Sequence, residues 1–588
     1  KTVVTYNNSF GWQRATELPD FLPSWEYATY YNMAMQNMGK QDAYLPEQIQ
    51  KYKDGSDPDN YPNVNHLKWL LESGSGFQHQ HNVSIQGGNA TTSYNLSIGY
   101  RNQEGLTAKT SNERMTALFS LRSQLSKSLT LSLNINAYNN KYNAPNGEPT
   151  SIDGIIGYAV REAPIYAGQK SDGSFGYQDN YSPEAWLASE SFVENVSRNI
   201  NASGQLRWDT PIKGLSLTGK AGVTYWTKYD KTYRAETYFD ENKTVGPSTL
   251  NIWTSNNTNT ILEALVNYEK TFGSHDLKVL AGTSVEQTSN KGLEGYRNTF
   301  PNNALYQLGA GDASTATNNS SLEEYALVSF FGRVNYAFKD KYLLEANLRY
   351  DGSSRFAKDN RWGIFPSVSA GWRISEENFW KESKIANVFS NLKIRGSYGV
   401  VGDDNVSDYT AFDYLPGYKY NNGGAVLDGD WVVGTETRGL PNKTLSWMES
   451  KILDIGVDMG FFNNRLNAQV DFFQRIRDGI PESRYDVLIP NEAGFSLPKE
   501  NLRSDKHVGF DAMVNWTDHV SDFNYSVGAN MTYSRFWDWE QYDTRHSNSW
   551  DVYRNSIWHR VGYVNWGYEA VGRFTSWEQI ATYPIDND

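Results

Sequence analysis

The chain has 588 residues, contains no cysteine and carries a formal net charge of −13 at pH 7. Lack of cysteine excludes a disulfide scaffold and thiolate metal sites, and the negative charge argues against a nucleic-acid partner. The mean hydropathy is −0.64, and no apolar run reaches the roughly 18 residues that a membrane-spanning helix needs. Aromatic residues make up 14% of the chain, which suggests aromatic girdles at a membrane interface or surfaces that stack on sugars.

The first predicted element is a strand from Thr2 to Trp12, in which alternate residues are apolar. A long polar stretch follows to about residue 80. It contains one predicted helix, which starts after Pro23 and stops at Gly39. Because the chain opens directly on a strand and shows no signal peptide, we expect the natural start of the protein to lie outside it.

From about residue 81, apolar and polar side chains alternate in one segment after another, which is typical of β-strands. We predict about seventeen strands, joined alternately by short turns and long loops. The turns lie near Gly88, Lys127, Lys213, Gly273, Lys339 and Asn463, and the longest loops cover residues 140–195 and 401–450. Bacterial outer-membrane barrels alternate short periplasmic turns with long extracellular loops. The sequence therefore favours an all-β fold, a transmembrane antiparallel β-barrel, over the soluble β-sandwich that any single hairpin would suggest.

The hairpin that follows residue 325 predicts which face meets lipid. On its second strand, Tyr342 and Tyr350 bracket an aliphatic stripe on one face, and the polar residues occupy the other face. Eight strand residues span roughly 27 Å, which fits the apolar band between two aromatic girdles. We expect Leu344, Ala346 and Leu348 to face lipid. We expect Glu345, Asn347 and Arg349 to face the lumen.

The tail from Arg535 to Asp588 is rich in tryptophan and shows no clean strand. Single-chain bacterial barrels have an even number of strands, so seventeen do not close a barrel. We therefore expect residues 1–588 to form one partial transmembrane barrel with long extracellular loops.

Five long segments carry a family resemblance. They read FGRVNYAFKDKYLLEANLRYDGSSRFAKDNRWGIFPSVSAGWRISEENF (331–379), LKIRGSYGVVG (392–402), MGFFNNRLNAQVDFF (459–473), VTYNNSFGWQ (4–13) and WGYEAVGRFTSWEQI (566–580). Together they resemble the SusC-like (RagA-type) TonB-dependent transporters of Bacteroidota. The resemblance implies a 22-stranded barrel in the cell outer membrane, with an N-terminal plug and a TonB box. We expect the plug, the TonB box and the last strands to lie outside this chain.

The resemblance also implies a function. Members of the family are transporters, not enzymes, and take up large nutrients with energy from TonB and with a SusD-like surface lipoprotein as a lid. A dimer of transporter–lipoprotein pairs is also compatible with the resemblance. The aromatic loops favour oligosaccharides, the breakdown products of glycans, and oligopeptides are the alternative substrate. A passive porin-like or structural barrel is the alternative from a different functional class.

Candidate metal ligands are sparse, and no catalytic site, cofactor or metal site is predicted. His79 and His81 are the one close histidine pair and would lie on the same face of a strand. We favour a role in a polar lumen or interface over a metal site with two histidine ligands. The acidic residues from Asp54 to Asp59 lack the glycine and glutamate spacing of an EF-hand, which favours a solvated loop. Asp428-Gly429-Asp430 is interpreted as a turn.

Aromatic residues of the long loops are the candidate substrate contacts. They are Tyr414, Tyr418, Tyr420 and Trp431 in the loop of residues 401–450, and Tyr177 and Trp186 in the loop of residues 140–195. An aromatic ring can stack on the apolar face of a sugar while its polar tip bonds to a hydroxyl. The alternative, favoured for any single ring, is packing within the loop or against the lid protein. We expect at least one of the first four residues to contact substrate.

Overall fold

The computed structural model of the chain describes residues 1–147, 151–405, 412–484, 487, 489–540, 546–556 and 558–584. The strands are β1 (Val3–Trp12), β2 (Phe77–Gly88), β3 (Thr92–Glu104), β4 (Ser111–Ser126), β5 (Leu129–Pro145), β6 (Phe192–Asp209), β7 (Leu215–Arg234), β8 (Thr237–Asp240), β9 (Lys243–Val245), β10 (Thr249–Phe272), β11 (His275–Asn298), β12 (Thr317–Phe338), β13 (Tyr342–Ser353), β14 (Trp362–Arg373), β15 (Phe389–Asp403), β16 (Tyr418–Leu427), β17 (Asp430–Thr437), β18 (Met448–Phe461), β19 (Leu466–Glu482), β20 (Glu500–Val520), β21 (Phe523–Glu540) and β22 (Arg560–Val561).

The helices are short and lie between strands or in the tail. They are α1 (Ser24–Asn37), α2 (Pro46–Asp54), α3 (His66–Leu71), α4 (Ile152–Arg161), α5 (Pro183–Ala188), α6 (Asn378–Lys381), α7 (Ser549–Asn555) and α8 (Trp577–Thr582). Within the described ranges, no helix is both long enough and apolar enough to cross a membrane.

The predicted strands are confirmed as β1–β7, β10–β15 and β18–β21. Two small hairpins, β8–β9 and β16–β17, lie inside long connections and were not predicted as strands. The predicted helix is confirmed as α1, and the backbone turns out of it at Gly39, whose φ is 69°. Within the tail that was predicted to lack strands, β21 continues to Glu540 and a two-residue strand, β22, pairs with it.

The chain divides into two compact units. The first contains Lys1–Tyr336, Asn347–Ile364 and Phe412, and the second contains Ala337–Ala346 and most of the chain from Phe365 onward. In the first unit, β1 to β7, β10 and β11 pair as antiparallel neighbours in chain order. In the second unit, β14, β15, β18, β19, β20 and β21 do the same. Both units are therefore up-and-down meanders.

Antiparallel order places short and long connections at opposite ends of each meander. In the first unit, the turns near Gly88, Lys127, Lys213 and Gly273 share one end, and the connections 13–76 and 146–191 share the other. In the second unit, the turn at Asn463 lies opposite the connection 404–447. The predicted alternation of short and long connections is confirmed for these strands.

The two faces of the strands differ in chemistry, as β7 and β10 show. On one face, Lys220 of β7 and its partner Glu263 of β10 form an ion pair with a 3.0 Å N–O distance. On the other face, the Leu262 side chain is 62% exposed. Tyr225 and Tyr268 flank this exposed apolar face at its two ends. Exposed aliphatic residues between two aromatic levels, opposite a charged face, are typical of a membrane barrel wall.

The strand β13 shows the same alternation at the residues predicted from the sequence. Leu344 is 48% exposed and Leu348 is 53% exposed, whereas the intervening Glu345 and Asn347 are half-buried. The apolar side chains of this strand are thus the more exposed set. A soluble sandwich would bury them, so the alternation supports the membrane interpretation.

The main apolar core of the first unit lies in its long connections and not in the strand wall. Its members come from α3, α4, the segment between α4 and α5, α5 and the β8–β9 hairpin, and they are Leu67, Leu70, Ile155, Tyr158, Ala159, Phe175, Ala185, Trp186, Leu187, Phe239 and Val245. The connections therefore form a packed layer of their own at one end of the meander.

We predict that the two ends of the meander lie on opposite sides of the membrane. In the cysteine-free chain, Glu241→Cys at the β8–β9 turn should react with an impermeant maleimide on intact cells. The matched exposed variant Lys127→Cys, at the short turn between β4 and β5, should react only after permeabilisation. Labelling of Lys127→Cys but not Glu241→Cys in intact cells would reverse the orientation.

We also predict that an arginine on the apolar face destabilises the wall. Ala264 lies between the levels of Tyr225 and Tyr268, so Ala264→Arg should lower the free energy of unfolding by about 2–4 kcal/mol. The control Ser284→Arg lies at nearly the same height on the inner face, paired with Glu263, and should cost much less. Urea unfolding from phospholipid vesicles measures both values, and a larger loss for Ser284→Arg would show that the faces are exchanged.

Candidate functional site

An ionic network occupies the inner face of the second unit. The guanidinium of Arg395 on β15 lies 3.4 Å from Asp454, 3.3 Å from Asp458 and 2.7 Å from Asp471. On the opposite face of the same strands, Ile455 is 50% exposed. The planar guanidinium can bond several carboxylates at once, so Arg395 holds β18 and β19 in register with β15. The resulting charged, partly exposed surface suits contact with water and polar solutes.

The β16–β17 hairpin presents three of the six predicted aromatic residues. Tyr418 is 66% exposed, Tyr420 is 79% exposed and Trp431 is 64% exposed. Residues paired across an antiparallel ladder project to the same face. Tyr418 pairs with Thr437, and Tyr420 pairs with Thr435. Residues 431, 435 and 437 lie on the same face of β17, because they are separated by even numbers of residues. All three rings therefore lie on one face of the hairpin.

The base of this hairpin is fixed by polar contacts. Arg438 forms an ion pair with Asp413, with an N–O distance of 3.2 Å, and its backbone N–H donates to the carbonyl of Gly417 at 2.8 Å. Tyr414, the fourth predicted residue of this loop, is half-buried beside Asp413 in the chain. The Trp431 ring lies against Gly424, where an added Cβ would come within 2.6 Å of it. The ring can occupy this position because residue 424 is glycine.

The two predicted residues of the first unit have different surroundings. Trp186 is fully buried, its indole N–H donates to the carbonyl of Asn180 at 3.1 Å, and its ring meets Phe239 edge-on. Tyr177 is half-buried, with its ring centre 5.5 Å from that of Phe239. Burial, together with the neighbouring Asp240, raises the pKa of Tyr177. Trp186 offers no surface on which a sugar could stack, which fits the packing alternative.

The histidine pair and the acidic loop both have structural partners. On β2, His79 Nδ1 lies 3.2 Å from His81 Nε2, and His81 Nδ1 lies 2.7 Å from the hydroxyl of Tyr6. Asp59 accepts a hydrogen bond from the backbone N–H of Ser171 at 3.0 Å and also bonds its hydroxyl. These contacts fit a polar interface on β2 and an acidic loop that joins two connections.

One cluster in the first unit was missed by the sequence analysis. His66, Glu162 and Glu184 converge in the buried layer of connections, with His66 Nδ1 2.7 Å from Glu184 Oε1. Burial and the neighbouring Glu184 raise the pKa of Glu162 to about 9. Near these three residues the sequence shows only signals of helix boundaries, such as Ser182-Pro183 before Glu184. No short motif links three residues that are this far apart in the chain.

Comparison with known families fits this architecture. Residues 142–583 match the family described as TonB dependent receptor-like, beta-barrel. The chain belongs to this family. It is an outer-membrane β-barrel protein of the TonB-dependent receptor type, and the predicted fold class and location are confirmed.

Individual relatives share about a quarter of their residues with the chain. The TonB-dependent receptor P3 of Formosa agariphila is 27% identical over 541 residues, covering 90% of this chain and 50% of that protein. The TonB-dependent receptor SusC of Bacteroides thetaiotaomicron is 28% identical over 478 residues, covering 77% of this chain and 46% of that protein. The chain thus spans about half the length of the curated relatives it matches. The predicted SusC-like resemblance is confirmed.

Solved structures show the same fold. The structure described as the RagAB peptide transporter superposes with a TM-score of 0.76 at 23% identity, covering 92% of this chain and 62% of that one. The open-open state of the RagAB peptide importer gives a TM-score of 0.76 at 22% identity, covering 96% and 63%. At this level of identity the likeness concerns the fold.

Proposed function

We propose that the chain is the barrel of a TonB-dependent importer that carries oligosaccharides across the outer membrane with a SusD-like lipoprotein. The observation that carries this proposal is the two-faced wall, charged on the inside and apolar on the outside. A polar inner face allows a hydrophilic solute to pass without losing its hydration to lipid. Membership in the family of TonB-dependent receptors supports energy-coupled uptake over passive diffusion.

The aromatic hairpin supports an oligosaccharide over an oligopeptide. Tyr418, Tyr420 and Trp431 are exposed on one face of the hairpin, and exposed aromatic rings suit the apolar faces of sugar rings. The similarity to the RagAB peptide transporter keeps oligopeptides as the alternative.

The long connections support a lid partner. The connection 404–447 carries a hairpin whose two faces are both exposed, because Val432 on the second face is 46% exposed. Hairpins that are exposed on both faces and rich in aromatic residues resemble the surfaces that proteins use for association. The proposed lid is a SusD-like lipoprotein, and the proposed energy source is TonB.

Uptake by intact cells tests the proposal. A deletion strain that carries the full-length protein should take up fluorescent oligosaccharides and should lose this uptake when TonB is removed. Restored uptake of oligopeptides alone would support the alternative substrate. Uptake that does not depend on TonB would indicate a passive barrel and contradict the proposal.

Alanine substitutions on the hairpin test its role in binding. Tyr420→Ala and Trp431→Ala should each weaken the binding of isolated oligosaccharide by roughly 2- to 10-fold, since one aromatic contact contributes about 0.5–1.5 kcal/mol. The control Val432→Ala, on the other face, should leave affinity unchanged. Isothermal titration of the purified protein measures these affinities.

Co-purification of the lipoprotein in mild detergent is the second readout for the same variants. A residue that contacts ligand should lower affinity and leave the lipoprotein bound. If every variant keeps full ligand affinity, or loses only the lipoprotein, the hairpin is a docking surface and the substrate binds elsewhere.

A further inference from the structure

Three buried polar side chains from three helices converge in the layer of connections. His66 is the first residue of α3, Glu162 follows the last residue of α4, and Glu184 lies in the first turn of α5. They are 2%, 6% and 3% exposed. His66 Nδ1 lies 2.7 Å from Glu184 Oε1 and 3.8 Å from Glu162 Oε2. One ligand atom of each residue lies within 4.8 Å of the other two.

The cluster contains more acceptors than its neighbours satisfy. His66 Nε2, both carboxyl oxygens of Glu162 and the second oxygen of Glu184 have no hydrogen-bond partner. Among the described residues, no lysine or arginine forms an ion pair with either carboxylate. Burying ionised carboxylates without a compensating charge is unfavourable, so a cation at the centre would stabilise the ionised form of both glutamates.

We propose that His66, Glu162 and Glu184 bind one divalent transition-metal ion, with Zn²⁺ as the reference ion. His66 Nδ1 and one oxygen from each carboxylate would coordinate the ion, and the charge of the ion would balance the two carboxylates. Tetrahedral ligands about 2.0–2.2 Å from zinc lie roughly 3.4 Å apart. The observed separations of 2.7 Å and 3.8 Å lie on either side of that value, so small side-chain movements would form the site.

The donor set narrows the choice of ion. One imidazole nitrogen and two carboxylates suit Zn²⁺, Mn²⁺ or Fe²⁺, which accept mixed nitrogen and oxygen ligands. Calcium prefers six to eight oxygen ligands, and magnesium keeps several of its waters. A histidine ligand in a dry pocket therefore argues against both of these ions.

The position of the cluster indicates a structural role. The ion would join α3, in the connection 13–76, to α4 and α5, in the connection 146–191. The same two connections are already joined by the hydrogen bond from Val64 N–H to the carbonyl of Pro164, 3.1 Å long. Leu67, Ile155 and Trp186 belong to the apolar core of the same helices and would shield the ion from water. Metal binding would thus stabilise the layer of connections against local unfolding.

Metal content and affinity test the proposal on the full-length protein in detergent. Wild-type protein stripped with EDTA should bind one equivalent of Zn²⁺ in competition with a chromophoric chelator, and its melting temperature should rise on binding. The near-isosteric variant Glu162→Gln should weaken zinc binding by about 100-fold or more and abolish the rise.

The double variant His79→Gln/His81→Gln is the matched control, because that pair is a competing place for zinc on β2. It should bind one equivalent as the wild type does. Absence of stoichiometric zinc from the wild type would overturn the proposal, as would loss of the zinc in the control and not in Glu162→Gln. Zinc-edge X-ray absorption of the wild type decides the matter even if Glu162→Gln fails to fold. One imidazole in the zinc shell supports the site, and two would place the ion on β2.

Discussion

The structure depends on the two-residue period of the β-strand, which forces each wall strand to meet two different environments. Successive side chains point to opposite faces, so a strand between lipid and water must alternate apolar and polar residues along its length. On β7 and β10 the ion pair of Lys220 with Glu263 faces inward, and Leu262 beside it faces outward. A shift of one residue in register would turn every side chain of a strand to the wrong environment.

This constraint removes the hydrophobic core from the wall and places it elsewhere. Lipid would stabilise the exposed aliphatic residues of the strands, while the main apolar core of the first unit lies in the long connections around Trp186 and Phe239. This packed layer buries side chains such as His66 and Glu162 away from water. The wall would thus be stabilised by strand pairing and lipid, and the connections by a packed apolar core. The proposed functions differ between these two parts in the same way. In the proposed function, solute passes along the inner wall and the connections recognise it.

The parts of the fold that repeat locally could be predicted from the sequence. Alternation along β13 predicted its faces from Leu344 and Glu345, and Gly39 marked the end of α1. The turn predicted at Asp428-Gly429-Asp430 is confirmed at its first two residues, which have positive φ, whereas Asp430 already begins β17. The strands on either side of it were missed, because Asn421 to Gly424 interrupt the alternation with a polar and glycine-rich stretch. The burial of Trp186 and the meeting of His66 with Glu184 depend on contacts between distant segments, which a local pattern does not encode.

Spin-label accessibility along one wall strand tests directly whether the apolar face of the wall meets lipid. Single cysteines from Leu262 to Tyr268 on β10 would carry the labels, since the chain has no cysteine of its own. In lipid vesicles, collision with oxygen should peak at residues 262, 264 and 266, and collision with a water-soluble nickel chelate should peak at the residues between them. Two out-of-phase curves of period two are the predicted result. Curves that rise and fall together, or access of the nickel chelate to the face of Leu262, would contradict a lipid-facing wall.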